Sequence, residues 1–353
     1  MGRRPREAAR SVRALLPLCL LTLACAAQRP EPVGRVVFVD PPPGTPYPDA
    51  SAPADASAAP AATPAPAARP MVAVLPTLTL DNLRFRDVSE CARGVCVHPR
   101  SPMAPAAVAA EDGATTLPPT SAWVQVIRPG ASVRVPHDSA IDLLGVTLTG
   151  AAVLGEVVPR AAAAPVARAW TAFRYPGAGA VLRASGAAPV AVLLVTATGP
   201  ISPESGAPIP TRASPYRAVT RDLAAAETLT WAGGAMHARI AFDGPSSPRA
   251  SLELLFASDD APVAEHAHPG AWETLVALSA AGHLHLPAQR VGARDLAARD
   301  RTVTDGAIVY VPADVRHAWA PDGTHPLVAV QVYSPPGPEQ RFRALAAPPT
   351  PAP

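Results

Sequence analysis

The residues most able to do chemistry lie in the stretch EHAHPGAWE, Glu265 to Glu273. His266 and His268 stand one residue apart, and Glu273 follows five positions after the second. Alternate side chains share a face in a strand, so the two imidazoles point the same way. Pro269-Gly270 is a turn signal, and a turn there could return Glu273 to the same cavity at the start of the next strand. A second stretch, DGAIVYVPADVRH, sets His317 just past an apolar strand and a proline turn. Three imidazoles and one carboxylate suit a divalent transition metal: Fe, Mn, Ni, Zn or Cu. Such a set leaves coordination positions open for substrate, water or O2, which allows Lewis-acid or oxidative chemistry. Glu273 is either a permanent ligand or one that moves and serves as acid or base.

The segments around these residues read as β-structure. Short runs rich in Val, Leu and Thr recur between Pro and Gly: AWVQVIRPG, LLGVTLTG, VAVLLVTATG, SLELLFAS, ETLVALSAAG, GAIVYVP and PLVAVQVYSPP. Their lengths suit strands and their punctuation suits an antiparallel sandwich or barrel. The pattern predicts an all-β fold of the jelly-roll kind. Helical patterning is scarce; RDLAAAE, Arg221 to Glu227, is the one short candidate. His283 and His285 in GHLHLP share a strand face that turns either to the cavity or to solvent, and Trp272 and Trp319 flank the ligands as pocket-lining or packing residues.

The two stretches resemble the paired motifs of the cupin superfamily. DAPVAEHAHPGAWETLVALSA carries His266, His268 and Glu273 at the first motif's ligand spacing, with Asp260 and Ala280 where glycines usually stand and Gly282 two residues on. GAIVYVPADVRHAWAP carries Gly306, Pro312 and His317 of the second motif, with Asp314 for a glycine and Pro321 for an asparagine. The departures touch turns, and all four ligand positions are kept over about residues 245–340. The resemblance implies cupin jelly-roll barrels and metal-dependent chemistry such as that of dioxygenases or isomerases, although fold and ligand set do not choose among reactions.

An earlier segment looks like a degenerate copy. In PGASVRVPHDSAIDLLGVTLTG, Val135 lies over His266, His137 over His268 and Asp142 over Glu273; further on, Pro176 lies over Pro312 and Val181 over His317. Such a copy would not hold a metal tightly. The expectation is a bicupin: a degenerate N-terminal cupin-like barrel at 73–212 and a metal-competent C-terminal barrel at 213–344.

The N-terminus reads as an export signal. A basic segment precedes the apolar ALLPLCLLTLA, eleven residues long and too short to span a bilayer. LTLAC resembles the lipobox of bacterial lipoproteins, which makes 1–24 a signal peptide and Cys25 the lipidated residue. Residues 25–72 and 345–353 are Pro/Ala-rich and read as a disordered linker and tail. Lipid attachment would anchor the protein to a membrane without spanning it, in the periplasm or cell envelope. Losing 1–24 removes five Arg and one Glu, turning the formal charge from +2 to −2, which gives no electrostatic case for nucleic acid. Cys91 and Cys96 are expected to close a small disulfide loop in an oxidising compartment. The partners expected are therefore a small-molecule ligand or substrate, a membrane reached through the lipid alone, and a second copy through the barrel faces. Against the enzyme stands a second reading, a non-catalytic lipoprotein that captures a ligand or metal at the cell envelope.

Overall fold

The computed structural model describes residues 70–78, 118–135, 138–156, 164–177, 179–201 and 218–347, with short strands at 95–97, 108–109 and 115–116. Residues 1–24, read above as a signal peptide, Cys25, residues 25–69 of the expected linker, Cys91, His137 and residues 348–353 of the expected tail lie outside the described residues, as does the side chain of Cys96. The disulfide expectation therefore lies outside them too.

The chain is almost entirely antiparallel β-structure. Its first unit contains β1 (Val95–Val97), a short hairpin of β2 (Val108–Ala109) and β3 (Thr115–Thr116), β4 (Thr120–Ile127), β5 (Ser132–Arg134), β6 (Asp142–Thr149), β7 (Ala151–Glu156), β8 (Val166–Arg168), β9 (Thr171–Tyr175), β10 (Ala180–Ala184), β11 (Val190–Ala197) and β12 (Val219–Asp222). The second contains β13 (Leu229–Trp231), β14 (Met236–Phe242), β15 (Leu252–Ala257), β16 (Val263–His266), β17 (Trp272–Ser279), β18 (Ala281–Leu286), a ribbon of β19 (Gln289–Val291) and β20 (Arg294–Leu296), β21 (Arg299–Thr304), β22 (Ile308–Val311), β23 (His317–Pro321) and β24 (Leu327–Ser334), then a short helix α1 (Gln340–Ala346).

The two units repeat one topology. The first has a large sheet ordered β1-β4-β11-β6-β9-β12 and a small one ordered β5-β10-β7-β8; the second has β13-β14-β15-β24-β17-β22 and β16-β23-β18-β21. Matching β4 to β15, β6 to β17 and β11 to β24 brings nine strands of each unit into the same order. This is the duplicated jelly roll that the strand pattern predicts. Strand β12, at Val219–Asp222, pairs with β9 of the first unit.

Each large sheet is apolar on both faces, which explains runs such as VAVLLVTA in β11. One face meets its own small sheet: Leu143, Leu154, Phe173, Leu182 and Leu194 fill the first unit, while Leu255, Ala277, Val303, Trp319 and Tyr333 line the second. The opposite faces pack against each other. Leu144, Val146 and Leu193 from the first large sheet meet Leu254, Val276 and Val330 from the second in one buried cluster. Residues 70–78 run across both units: Met71 N–H donates to the Gly234 carbonyl at 2.8 Å, and the Trp170 indole donates to the Pro76 carbonyl at 3.2 Å. Residues 70–72, at the end of the predicted linker, are thus docked.

Four local expectations are corrected. RDLAAAE is the end of β12 followed by a turn rather than a helix, because Arg221 and Asp222 pair with Ala172 and Thr171. The helix α1 takes Leu345 and Ala346 from the predicted tail. Asp142 is not the counterpart of Glu273. Leu143 pairs with Tyr175 as Glu273 pairs with Val311, each partner lying just before a proline, Pro176 or Pro312. Leu143 is buried in the first unit's interior, so Asp142 points from the other face of β6. Val181 is likewise one position off, since Ala180 is the interior residue whose carbonyl accepts from Val135 N–H.

Asp142 instead accepts from Arg174 Nε at 3.1 Å and Nη2 at 2.8 Å, and from Gly177 N–H at 3.2 Å. Arg174 also donates through Nη1 to the Ser246 carbonyl of the second unit at 2.9 Å. Both side chains are buried. Removing one partner of such a pair strands the other charge, so Asp142→Ala is expected to cost about 3–5 kcal/mol in denaturant unfolding. Replacing both residues with apolar ones should recover much of that loss.

Candidate metal centre

Four side chains converge in the interior of the second unit. One ligand atom each from His266, His268, Glu273 and His317 can be chosen so that all lie within 4.8 Å of one another, and such a group could hold a metal ion. No second group of this kind occurs among the described residues.

Local structure accounts for the convergence. His266 ends β16 and sits directly opposite His317, the first residue of β23, which sets their rings 4.3 Å apart between centroids. After His268 the chain turns at Gly270, whose φ of +66° suits glycine, and Glu273 then enters β17 facing inward. The turn before His317 carries Asp314 at φ +66°, the left-handed position where the cupin motif has glycine. Asp tolerates this conformation better than most residues. The two turns are also tied together, with Asp314 N–H donating to the His268 carbonyl at 3.1 Å and Gly270 N–H donating to Asp314 Oδ1 at 3.1 Å.

The donor atoms are prepared for a cation. His266 Nδ1 lies 2.8 Å from the Ala264 carbonyl, and His317 Nδ1 lies 3.0 Å from the Val315 carbonyl. A carbonyl only accepts, so each Nδ1 carries a hydrogen, and in the neutral ring the lone pair is left on Nε2. His266 Nε2 is buried without a hydrogen-bond partner, and buried His317 Nε2 stands 3.0 Å from Glu273 Oε2, to which it is an ion-pair partner when protonated. Buried nitrogens of this kind, beside an inward carboxylate, fit a transition metal. His268 Nε2 is 2.9 Å from Glu273 Oε2, and Gln331 Nε2 donates to Glu273 Oε1.

Charge follows from this packing. Burial works against an ionised Glu273, but hydrogen bonds and charge from His268 and His317 outweigh it and hold the carboxyl well below its usual range. Burial, then Arg341 and His317, push His266 down to about 4. Burial also lowers His268, and Glu273 offsets this only in part. For His317, burial lowers and Glu273 raises, and the net direction is upward.

The remaining sequence candidates divide. Trp319 is buried on the same inward face of β23 as His317. Trp272 is half-buried on the face of β17 opposite to Glu273 and does not line the site. His283 and His285 are exposed on β18, with Gly282 and Leu284 facing inward instead; His285 Nδ1 meets Asp300 at 2.6 Å. Gly282 has a packing reason, since a Cβ there would lie 2.8 Å from the Trp319 ring. Gln331, Tyr333, Glu253 and Arg341 were not singled out in the sequence. Tyr333 stacks edge-on against His268 at 4.7 Å, and its hydroxyl accepts from Arg341 Nη2 at 2.9 Å. The only signal for Gln331 and Glu253 is a polar residue at an inward position of an apolar strand.

Elemental analysis of the purified protein should find about one transition metal per chain, and His266→Ala with His317→Ala should abolish it. Equal metal content in both proteins would contradict the assignment. Metal binding should also tighten as pH rises through and above 6.5. The sign follows from His317. Its raised proton affinity stabilises the metal-free fold below 6.5, and this contribution is lost as pH rises through the raised value. The metal needs the neutral ring and gains over that same window. Competition with a chelator across this range checks the direction.

No protein-family model matches the chain, and no curated protein matches it. Among solved structures it is similar to oxalate decarboxylase from Bacillus subtilis at pH 4.6, with 17% identity, 62% of this chain and 68% of that chain covered, and a TM-score of 0.48. It is similar also to a point mutant of the Bacillus subtilis enzyme, with 15% identity, 64% and 75% coverage, and a TM-score of 0.48. Likeness at that level does not decide activity. Its own duplicated sheet order is that of two jelly rolls, and the four residues gathered on its second unit are those of the motifs that resemble the cupin superfamily.

Proposed function

We propose that this protein is an exported, lipid-anchored cupin that uses a divalent transition metal, one of Fe, Mn, Ni, Zn or Cu, to act on a small molecule at the cell envelope. The observation carrying this reading is the pair of buried Nε2 atoms of His266 and His317, aimed inward beside His268 and the anionic Glu273.

His266, His268, Glu273 and His317 would hold the metal, and a metal so held supplies Lewis-acid polarisation or redox chemistry to a bound molecule. The chain's own residues set the conditions. Gln331 and His268 orient the Glu273 carboxylate, and the carbonyls of Ala264 and Val315 orient two of the imidazoles. The Tyr333 and Trp319 side chains keep the surroundings dry and apolar, which strengthens every charge interaction inside. Glu273 is the group best placed to take or return a proton. Chemistry of the dioxygenase or isomerase type is the reading preferred. Lipid attachment at Cys25 and the Pro/Ala-rich stretch that follows would place the folded units beside the membrane surface.

Two measurements test this. Protein loaded with Fe(II), Mn(II) or Ni(II) should convert at least one member of a panel of small aromatic, thiol and sugar-like compounds, and Glu273→Gln should lower turnover at least about tenfold. Compounds that raise the melting temperature without any metal-dependent product would favour a binding module instead. In cells, Cys25→Ala should move the protein from the membrane to the soluble fraction; unchanged membrane retention would contradict the anchor.

A further inference from the structure

Strand β15 reads LELLFA, and its single charged residue is Glu253. Leu252, Leu254 and Phe256 face the other unit, while Leu255 and Ala257 face the interior of the second unit. Alternation therefore points Glu253 inward, toward the side of the metal site. It is fully buried, and neither carboxyl oxygen makes a hydrogen bond of good geometry, the Ser251 hydroxyl being the one polar side chain that acts on it as a donor. The titratable groups that act on it are Glu339, Glu273, Arg341 and Tyr333, with the Ser251 hydroxyl two residues before it on the same face. Burial and the charge of Glu339 push its carboxyl well above the usual range.

The residue directly across the sheet from Glu253 is Gln331 on β24. Direct cross-strand partners have Cβ atoms about 4.5–5.5 Å apart, so their side chains meet. The Gln331 amide is committed on one side only. Its Nε2 donates to Glu273 Oε1, and its Oε1 is buried without a partner. Two acceptors without a well-formed hydrogen bond thus belong to side chains on directly paired positions of the ladder. One hydrogen, on Glu253, would satisfy both sides. It would also exclude the flipped amide, in which Oε1 would face the Glu273 carboxylate.

We propose that Glu253 is a neutral carboxylic acid whose O–H donates to Gln331 Oε1, and that this bond fixes the amide so that Nε2 donates to Glu273. Glu253 is then a positioning residue, acting through Gln331 on a carboxylate that would hold the metal. The inference rests on the metal reading for its purpose, but not for its chemistry. The proton comes from solvent during folding and stays on Glu253, and no bond of the metal site is broken.

The test begins with metal-free protein. Infrared difference spectra at neutral pH should show the carbonyl stretch of a protonated carboxyl group in the wild type. The band should vanish in Glu253→Gln and shift in Gln331→Leu, which removes its acceptor. A band that is absent, or that does not move in Gln331→Leu, would overturn the proposal. Chelator competition then reads the consequence. Glu253→Leu should weaken metal binding about 10–100-fold, as losses of supporting hydrogen bonds do, while Glu253→Gln, which still donates to Gln331, should stay close to wild type. Equal affinity in Glu253→Leu would also overturn it. If the wild type holds no metal while the band is present and shifts, the metal reading fails and the hydrogen-bonded pair stands.

Discussion

A fully buried carboxylate dominates the second unit. Glu273 sits buried at the start of a central strand, and an isolated ion there would be costly. The fold answers with donors on several sides: Gln331 on one oxygen, His268 on the other, and His317 close by. Those donors must come from three separate strands or loops. The β16–β23 pairing, the two linked turns at Gly270 and Asp314, and the register between β17 and β24 all serve to bring them together. A cation at the buried imidazole nitrogens completes the same logic, since it supplies the charge that the carboxylate lacks.

The first unit shows what the same sheets do without that demand. At the positions matching His266, Glu273 and His317 it has Val135, Leu143 and Ala180, and its interior is packed with Leu, Phe and Val. The large sheet of each unit is apolar on both faces, so the units also form one continuous core between them. Duplication thus gives the metal-competent unit a rigid support on its far side. Thr120 and Thr274 hydrogen bond across this junction at 2.6 Å, one residue after Glu273. The Tyr310 hydroxyl accepts from Ala122 N–H at 3.2 Å nearby.

Much of this was legible in the sequence, because turns and strand patterns are local codes. His266, His268 and Glu273 lie within eight residues, and the Pro-Gly turn says how Glu273 returns to them; the strand itself ends at His266, so His268 reaches the site from the turn and not by alternation. The all-β class followed from the apolar runs. Parity fails where the register is not local. The pairing of β6 shows that Leu143, not Asp142, stands at the Glu273 position, and a slip of one residue moves a side chain to the other face. His283 and His285 do share a face, as read, but which face is inward depends on the neighbouring strands β21 and β23. Gln331 lies 58 residues from Glu273, and nothing in its own strand announces that partner.

The central claim is that three imidazoles and one carboxylate of the second unit form a single metal site. X-ray absorption spectroscopy of the metal-loaded protein tests it most directly, because it reports the ligand atoms rather than the metal content. The account predicts scattering from three imidazole rings and a first shell of nitrogen and oxygen only. A shell containing sulfur, or one built from solvent oxygens with fewer than two imidazoles, would contradict it.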